Sequence, residues 1–374
     1  MTELNNNQNA DNVESLISPG DRPVTIWRKL YRFLSSVKLA MALLVAILAC
    51  CLVGVTIYRA ADAGAKIFGT LWFNLLLVLL VANVAFCFFG RIWGRKVTVV
   101  SFGMILFHLS FVFMLMGIIY NGLFYFRGTI RLTEGETLPS GELQSYDYAD
   151  RGRFFNLAKL KGDTTLIKMH TDYKIGREDK RAAYEITVGE GALKKQGIIY
   201  ITKPLDYKGF KYFNDREGYS ILTVLLDKQG KELYGAHIPL QSLKQKDDSY
   251  LYTTGTKERP ESMPFPQYPM KPLIGLQVTY HPSKLKERGG EALFQVWTLD
   301  ETGNPTGEKP RAEGKAAVGE KFDAGDYSLE VREVRYWVGM RVVYEPGQPI
   351  VLASMWAGLA GMIITFYGRM RSRK

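Results

Sequence analysis

The run Val97 to Phe126, VTVVSFGMILFHLSFVFMLMGIIYNGLFYF, holds no Asp, Glu, Lys or Arg and one imidazole, His108. A helix rises about 1.5 Å per residue, and some 20 residues cross a hydrocarbon core of about 30 Å. Counted from Lys96 at the basic end of the run, His108 falls near the middle of such a span. An ionisable side chain there is costly and marks a functional position by default. Hydrocarbon favours the neutral ring, and neutral imidazole is the form that ligates a metal. Two roles stay open on the residues alone: a ligand or relay, or a hydrogen-bonding group that knits helices together. Gly103, Ser110 and Gly117 recur every seven residues. At about 100° per residue they lie opposite His108, on a face small enough for another helix to approach closely. If that face packs within the chain, His108 looks elsewhere, with Met104, Phe111, Val112 and Leu115 beside it.

The remaining reactive residues show no comparable pattern. Cys50, Cys51 and Cys87 all lie in apolar runs, and the polar middle of the chain has no cysteine. They have no CxxC spacing for thiol exchange, and we expect small buried hydrophobes. A thiol conduit is disfavoured on that ground. His170, His237 and His281 fit no short metal-ligand spacing and are expected to be ordinary. GxSxG, HExxH, a phosphate loop and a dinucleotide fingerprint are missing, so nothing announces a self-contained hydrolase or transferase.

Four long apolar runs position these residues, three near the start and one near the end: about 39–57, 67–90, 99–120 and 350–367. About 36 polar residues precede the first run, which reads as a span and not as a cleavable signal peptide. Residues 1–23 are polar and expected to be a disordered tail. Trp27, Leu30, Tyr31 and Leu34 then share one face of a short interfacial helix. The formal charge is +11. Residues 1–126 hold ten Lys and Arg against five Asp and Glu, 349–374 hold four and none, and 127–348 hold 34 and 32. The excess therefore sits at the membrane flanks, which implies topology and no nucleic-acid surface. With Arg91, Arg95 and Lys96 between the second and third spans, both termini are expected inside and 127–348 outside. Asn74 and Asn83 are expected to hydrogen-bond between helices.

The middle segment reads as β. Runs at 183–189, 197–203, 209–214, 219–226, 275–280, 292–299 and 327–344 have strand composition, separated by Gly, Asp or Pro. The predicted fold is an α-helical membrane bundle of four transmembrane helices, three plus one, carrying a large, mainly β extracytoplasmic domain. The boundaries are 1–38 for the tail with its amphipathic helix, 39–126 for three helices, 127–348 for the β domain and 349–374 for the last helix and basic tail. Five prolines in RPESMPFPQYPMKP mark a connection, or a divider between two subdomains near 259–272. Ala353, Ala357 and Gly361 are expected to form the packing stripe of the last helix.

Several segments together resemble the ResB family, also called CcsB, of System II cytochrome c maturation. They are LYRFLSSVKLAMALL (30–44), GMILFHLSFVFMLMG (103–117) with GTIRLTEGE (128–136), ITKPLDYKGFKYF (201–213) and YEPGQPIVLASMWAGLAGMIITFYGR (344–369). Residues 228–325 carry no part of the likeness. The resemblance implies a subunit of a holocytochrome c synthase complex in a bacterial plasma membrane. It works with a ResC/CcsA-type multispan partner to move haem b across the membrane and attach it to the CxxCH motif of apocytochrome c. A thioredoxin-like, thiol-reducing protein would keep the apocytochrome cysteines ready. The resemblance makes His108 an axial haem ligand, with Met104, Phe111, Val112 and Leu115 as part of an apolar slot. It carries no attachment residues to this chain, so catalysis is shared with the partner or located there. One histidine in four spans leaves the second iron ligand to another polypeptide. The competing reading is a membrane-anchored assembly or chaperone platform for apocytochrome in which His108 ligates no haem.

Overall fold

The computed structural model describes residues 26–58, 64–92, 97–176, 178–179, 182–246, 249–256, 259–267, 269–283, 288–300, 302–307 and 309–372, with backbone alone at 26–28, 89–92 and 178–179. The polar tail 1–23, the basic pair Arg95 and Lys96, and Arg373 and Lys374 lie outside the described residues. The chain divides into two compact units, residues 1–123 with 346–374, and residues 124–345.

The first unit is helical. A short helix α1 (Ile26–Leu34) is followed by α2 (Val37–Thr56), α3 (Leu71–Ile92), α4 (Val99–Phe124) and α5 (Gln348–Arg371). The last four are long and apolar enough to cross a membrane, so this is a membrane protein. They are apolar all round, as lipid-facing helices must be. Leu43 of α2, Phe73, Leu77 and Leu80 of α3 and Leu115 of α4 form their inner cluster. Asn83 is 1% exposed and donates from Nδ2 to Leu34 O (2.6 Å) and Ser36 O (3.0 Å), tying α3 to the break between α1 and α2. Asn74, expected to bond between helices, instead donates to Thr70 O and Phe68 O just before its own helix. The three cysteines are unpaired and half-buried, less enclosed than their composition suggested.

The second unit is β, as the strand composition required. One of its two seven-stranded sheets has the central path Glu232–Pro239, Phe210–Leu226, Ser328–Tyr344, Phe126–Thr133, Tyr146–Arg151, antiparallel throughout. Two of its strands are 17 residues long. The stretches 209–214 and 219–226, separate in the sequence reading, belong to one of them. The Asp and Gly between them do not end the strand, because a bulge between Asn214 and Arg216 accommodates Asp215. Gly218 continues the pairing under the Trp337 ring, where an added Cβ would lie 2.7 Å from Nε1.

Side chains alternate between faces along a strand, so Val334, Tyr336, Val338 and Met340 share one face. Two cores sit on it. Val338, Met340 and Val342 join Leu166, Ile186 and Val188 of a four-stranded sheet. Val334, Val331 and Leu329 join Leu276, Val278, Phe294 and Val296 of a third sheet. The proline-rich stretch lies in that second body, where Met263–Phe265 pairs with the strand Ile274–Pro282. Between the cores the floor changes from aliphatic residues to Glu217, Tyr219 and Tyr336.

Candidate functional site

Helix α4 is welded to α5 along its small-residue face. A Cβ on Gly103 would lie 2.6 Å from Thr365 N and 2.7 Å from Gly361 O. Gly358 leaves 2.6 Å to Ser110 Oγ, and Gly117 sits against Ile350 and Val351. Asn121 Oδ1 accepts from Gly347 N at 3.3 Å. Ser110 satisfies itself by donating to Phe107 O (2.7 Å), as a buried hydroxyl in a helix must. The expected face of α4 is therefore the packed one. The stripe on α5 is different from the expected one. Gly347, Ser354, Gly358, Gly361 and Gly368 make the approach, whereas Ala353 points outward. Seven-residue steps from Gly347 through Ser354 to Gly361 and Gly368 match the seven-residue steps on α4, and a four-residue stripe would drift off that seam.

With Gly103, Ser110 and Gly117 turned to α5, His108 faces away and is half-buried. Its ring stacks on Phe88 of α3, centroids 3.9 Å apart and planes 10° apart, and meets Phe107 edge-on at 5.4 Å. Nδ1 lies 2.8 Å from Met104 O. A carbonyl oxygen only accepts, so Nδ1 carries the proton and donates. In a neutral ring the lone pair is then at Nε2, which is not among the buried unpartnered atoms. A backbone carbonyl that fixes one nitrogen as the donor is the usual support of an imidazole whose other nitrogen binds metal. Among the described residues no three His, Cys, Asp or Glu side chains come together. A bare ion, which needs several protein ligands, therefore has no nest here. A lone imidazole suits a metal whose other ligands arrive with it.

The predicted neighbours divide. Met104 is 38% exposed beside the ring and supplies the carbonyl. Val112 and Leu115 are buried, Leu115 in the inner cluster, and Phe111 packs against that cluster. Phe111 also lines a groove of about 350 Å³ between α4 and α5 with Phe107, Met114, Met355, Trp356 and Leu359. These three therefore do not form an open wall around His108. Phe88 and Phe107 hold the ring and were missed. Phe107 was legible as the residue just before His108 in sequence, but Phe88 belongs to another helix and depends on helix pairing.

The other histidines lie in the β unit. His170 Nε2 is 3.3 Å from Glu185 Oε2. His281 is exposed on the strand Ile274–Pro282. His237 Nε2 is 4.0 Å from Glu333 Oε2, and its Nδ1 is buried without a hydrogen-bond partner among the described residues. Burial, then the Arg335 charge, hold that imidazole below its ordinary range against the opposing pull of Glu333.

The motif GTIRLTEGE builds a junction in the β unit. Gly135 turns with φ +82°, and Glu136 Oε2 accepts from Thr133 N at 2.7 Å. Glu134, 5% exposed, accepts from Met169 N (2.8 Å), from Tyr336 N (3.4 Å) and from the Arg288 guanidinium (3.0 Å). One carboxylate thus joins three segments far apart in sequence.

Residues 92–214 match the ResB-like family, a span that includes His108 and both the GTIRLTEGE and ITKPLDYKGFKYF segments. The chain is also 18% identical over 278 residues to a protein of Picosynechococcus sp. named cytochrome c biogenesis protein CcsB. That alignment takes in 74% of this chain and 52% of the relative, so the chain spans about half the length of the curated relative it matches. The resemblance read from the residues is borne out.

Proposed function

We propose that this ResB-like membrane protein serves cytochrome c biogenesis by holding haem on its way across the bilayer, with His108 Nε2 as one axial ligand to the iron. Haem is cargo here. Its porphyrin supplies four equatorial nitrogens, so the protein needs an imidazole, an apolar surface and little else at the iron. The observation that carries the reading is the His108 imidazole in the apolar helix α4, oriented through Nδ1 by Met104 O, which leaves the lone pair of the neutral ring at Nε2. Phe88 and Phe107 keep the ring in one orientation, and Met104 is the expected slot residue that remains exposed. The other axial ligand comes from a ResC/CcsA-type multispan partner, because this chain has no second histidine in its helices. The β unit lies outside and receives apocytochrome c, both chain ends lie in the cytoplasm by the positive-inside rule, and the membrane is a bacterial plasma membrane. Thioether formation is a positioning task shared with the partner or carried by it, once a thioredoxin-like reductant has kept the cysteines as thiols.

The stack on Phe88 also favours a second reading, an assembly platform whose His108 only knits α4 to α3. One experiment separates the two. The chain is co-produced with its partner and a reporter apocytochrome in cells lacking their own maturation system. The purified complex is then examined by absorption spectroscopy. Under the haem reading, His108→Ala removes the haem spectrum and lowers holocytochrome at least tenfold, and imidazole in the medium restores both. Unchanged haem and unchanged holocytochrome in His108→Ala would leave the platform reading standing.

A further inference from the structure

The two cores of the β unit leave a cleft of about 650 Å³ between them. Its floor is the middle of the two long strands, where Glu217, Tyr219 and Tyr336 replace the aliphatic residues found on either side. The end of the strand Asp163–Thr171 forms one wall, and Tyr252 forms part of the other. Tyr219 meets Tyr252 edge-on at 4.7 Å and Tyr336 at 5.2 Å, so the rings form a continuous aromatic surface. Burial pushes the Tyr252 hydroxyl up to about 12 and the Tyr219 hydroxyl upward as well. Both are neutral π faces at physiological pH.

Glu217 gives the surface its sign. Its carboxylate accepts from Tyr184 OH, and among the described residues it has no ion-pair partner. Arg216 lines the same cleft, but its guanidinium is paired with Asp215 at 3.3 Å. An unpaired carboxylate beside aromatic faces recognises a cation on an apolar stem, which the rings cover while the head meets the charge. The cleft is far larger than one such side chain, and Gln241 at its edge offers hydrogen bonds suited to a peptide backbone.

We propose that this cleft binds an extended polypeptide segment through a lysine or arginine side chain, the cationic head at Glu217 and the stem against Tyr219, Tyr252 and Tyr336. The assignment deepens the assembly reading above, since a protein that receives apocytochrome needs a place to hold an unfolded chain. It is independent of His108.

The test uses the full chain in detergent and four fluorescein-labelled dodecapeptides of one background sequence, with lysine, arginine, norleucine or glutamate at the centre. Binding is followed by anisotropy. The lysine and arginine peptides are expected to bind about tenfold or more tightly than norleucine, as a charge-assisted contact implies. Glu217→Gln is expected to erase that difference. Glu217→Lys is expected to prefer the glutamate peptide, an outcome that a misfolded variant cannot produce. Equal binding of the lysine and norleucine peptides, or lysine preference retained in Glu217→Gln, overturns the proposal. Displacement of the peptide by an equal concentration of N-acetyl-lysine methylamide also overturns it, because the site would then read an amine and not a chain. Holocytochrome that depends on His108 alongside a cleft that binds no basic peptide refutes this assignment and leaves the haem reading intact. Peptide recognition alongside a His108→Ala variant that keeps its haem does the reverse.

Discussion

At the scale of single residues, a buried carboxylate and a partly buried imidazole bear on how the β unit responds to mutation and to pH. Glu134 accepts two backbone N–H groups and one guanidinium from separate segments, so a neutral glutamine there loses the ion pair with Arg288 and turns an amide N–H2 towards donors that now meet an oxygen. Glu134→Gln is expected to cost about 2–4 kcal/mol, the range for an unsatisfied buried donor with a broken ion pair. Glu136→Gln keeps an oxygen for Thr133 N and is expected to cost under about 1 kcal/mol. Urea unfolding of the full chain in detergent, followed by tryptophan fluorescence to which buried Trp337 contributes, compares the two. His237 supplies the pH dependence. The folded state holds it below the ordinary 6.5, chiefly by burial, so the unfolded chain takes up the proton first as pH falls. Its contribution to stability is complete above about 6.5 and declines from there towards the folded value. His237→Gln is expected to flatten that part of the unfolding midpoint measured from pH 7.5 to 5. An equally steep profile in the variant would assign the dependence to other groups.

At the scale of elements, the seam between α4 and α5 is the contact that turns His108 outward from α5. Gly103→Leu drives a side chain into the backbone at Thr365 N and Gly361 O, neither of which can yield while the helices stay together. Overpacking of this kind costs about 1–3 kcal/mol or more, so a lower melting temperature in detergent and reduced accumulation are expected. Ala353→Leu, on the outward side of α5, is expected to leave both unchanged. If Gly103→Leu melts like the parent, the seam does not hold these helices. Helix α4 was legible because apolar length and small-residue spacing are properties of one segment. The α5 stripe was misread because Ala353, Ala357 and Gly361 satisfy a local period, and only the partner helix selects the seven-residue one. The strand Phe210–Leu226 was split for the same reason: Asp215 and Gly218 look like a turn until a bulge and the pairing with Ser328–Tyr344 absorb them.

For the molecule as a whole, the four apolar helices and the β unit between the third and fourth followed from composition, whereas the two cores on one sheet face did not. They depend on which sheets lie over Val334 and Val338, a long-range choice that no local pattern records. The functional reading carries the same division between what one chain holds and what it must meet. Four helices with one imidazole can offer iron a single nitrogen. Haem added to the isolated chain in detergent is therefore expected to be high-spin, with one strong axial ligand, and to lose that ligand in His108→Ala. Adding the proposed multispan partner is expected to convert it to a low-spin, two-imidazole spectrum, read by absorption and electron paramagnetic resonance. A low-spin spectrum from the isolated chain would mean that it closes the site unaided, and the requirement for a second subunit at the iron would fall.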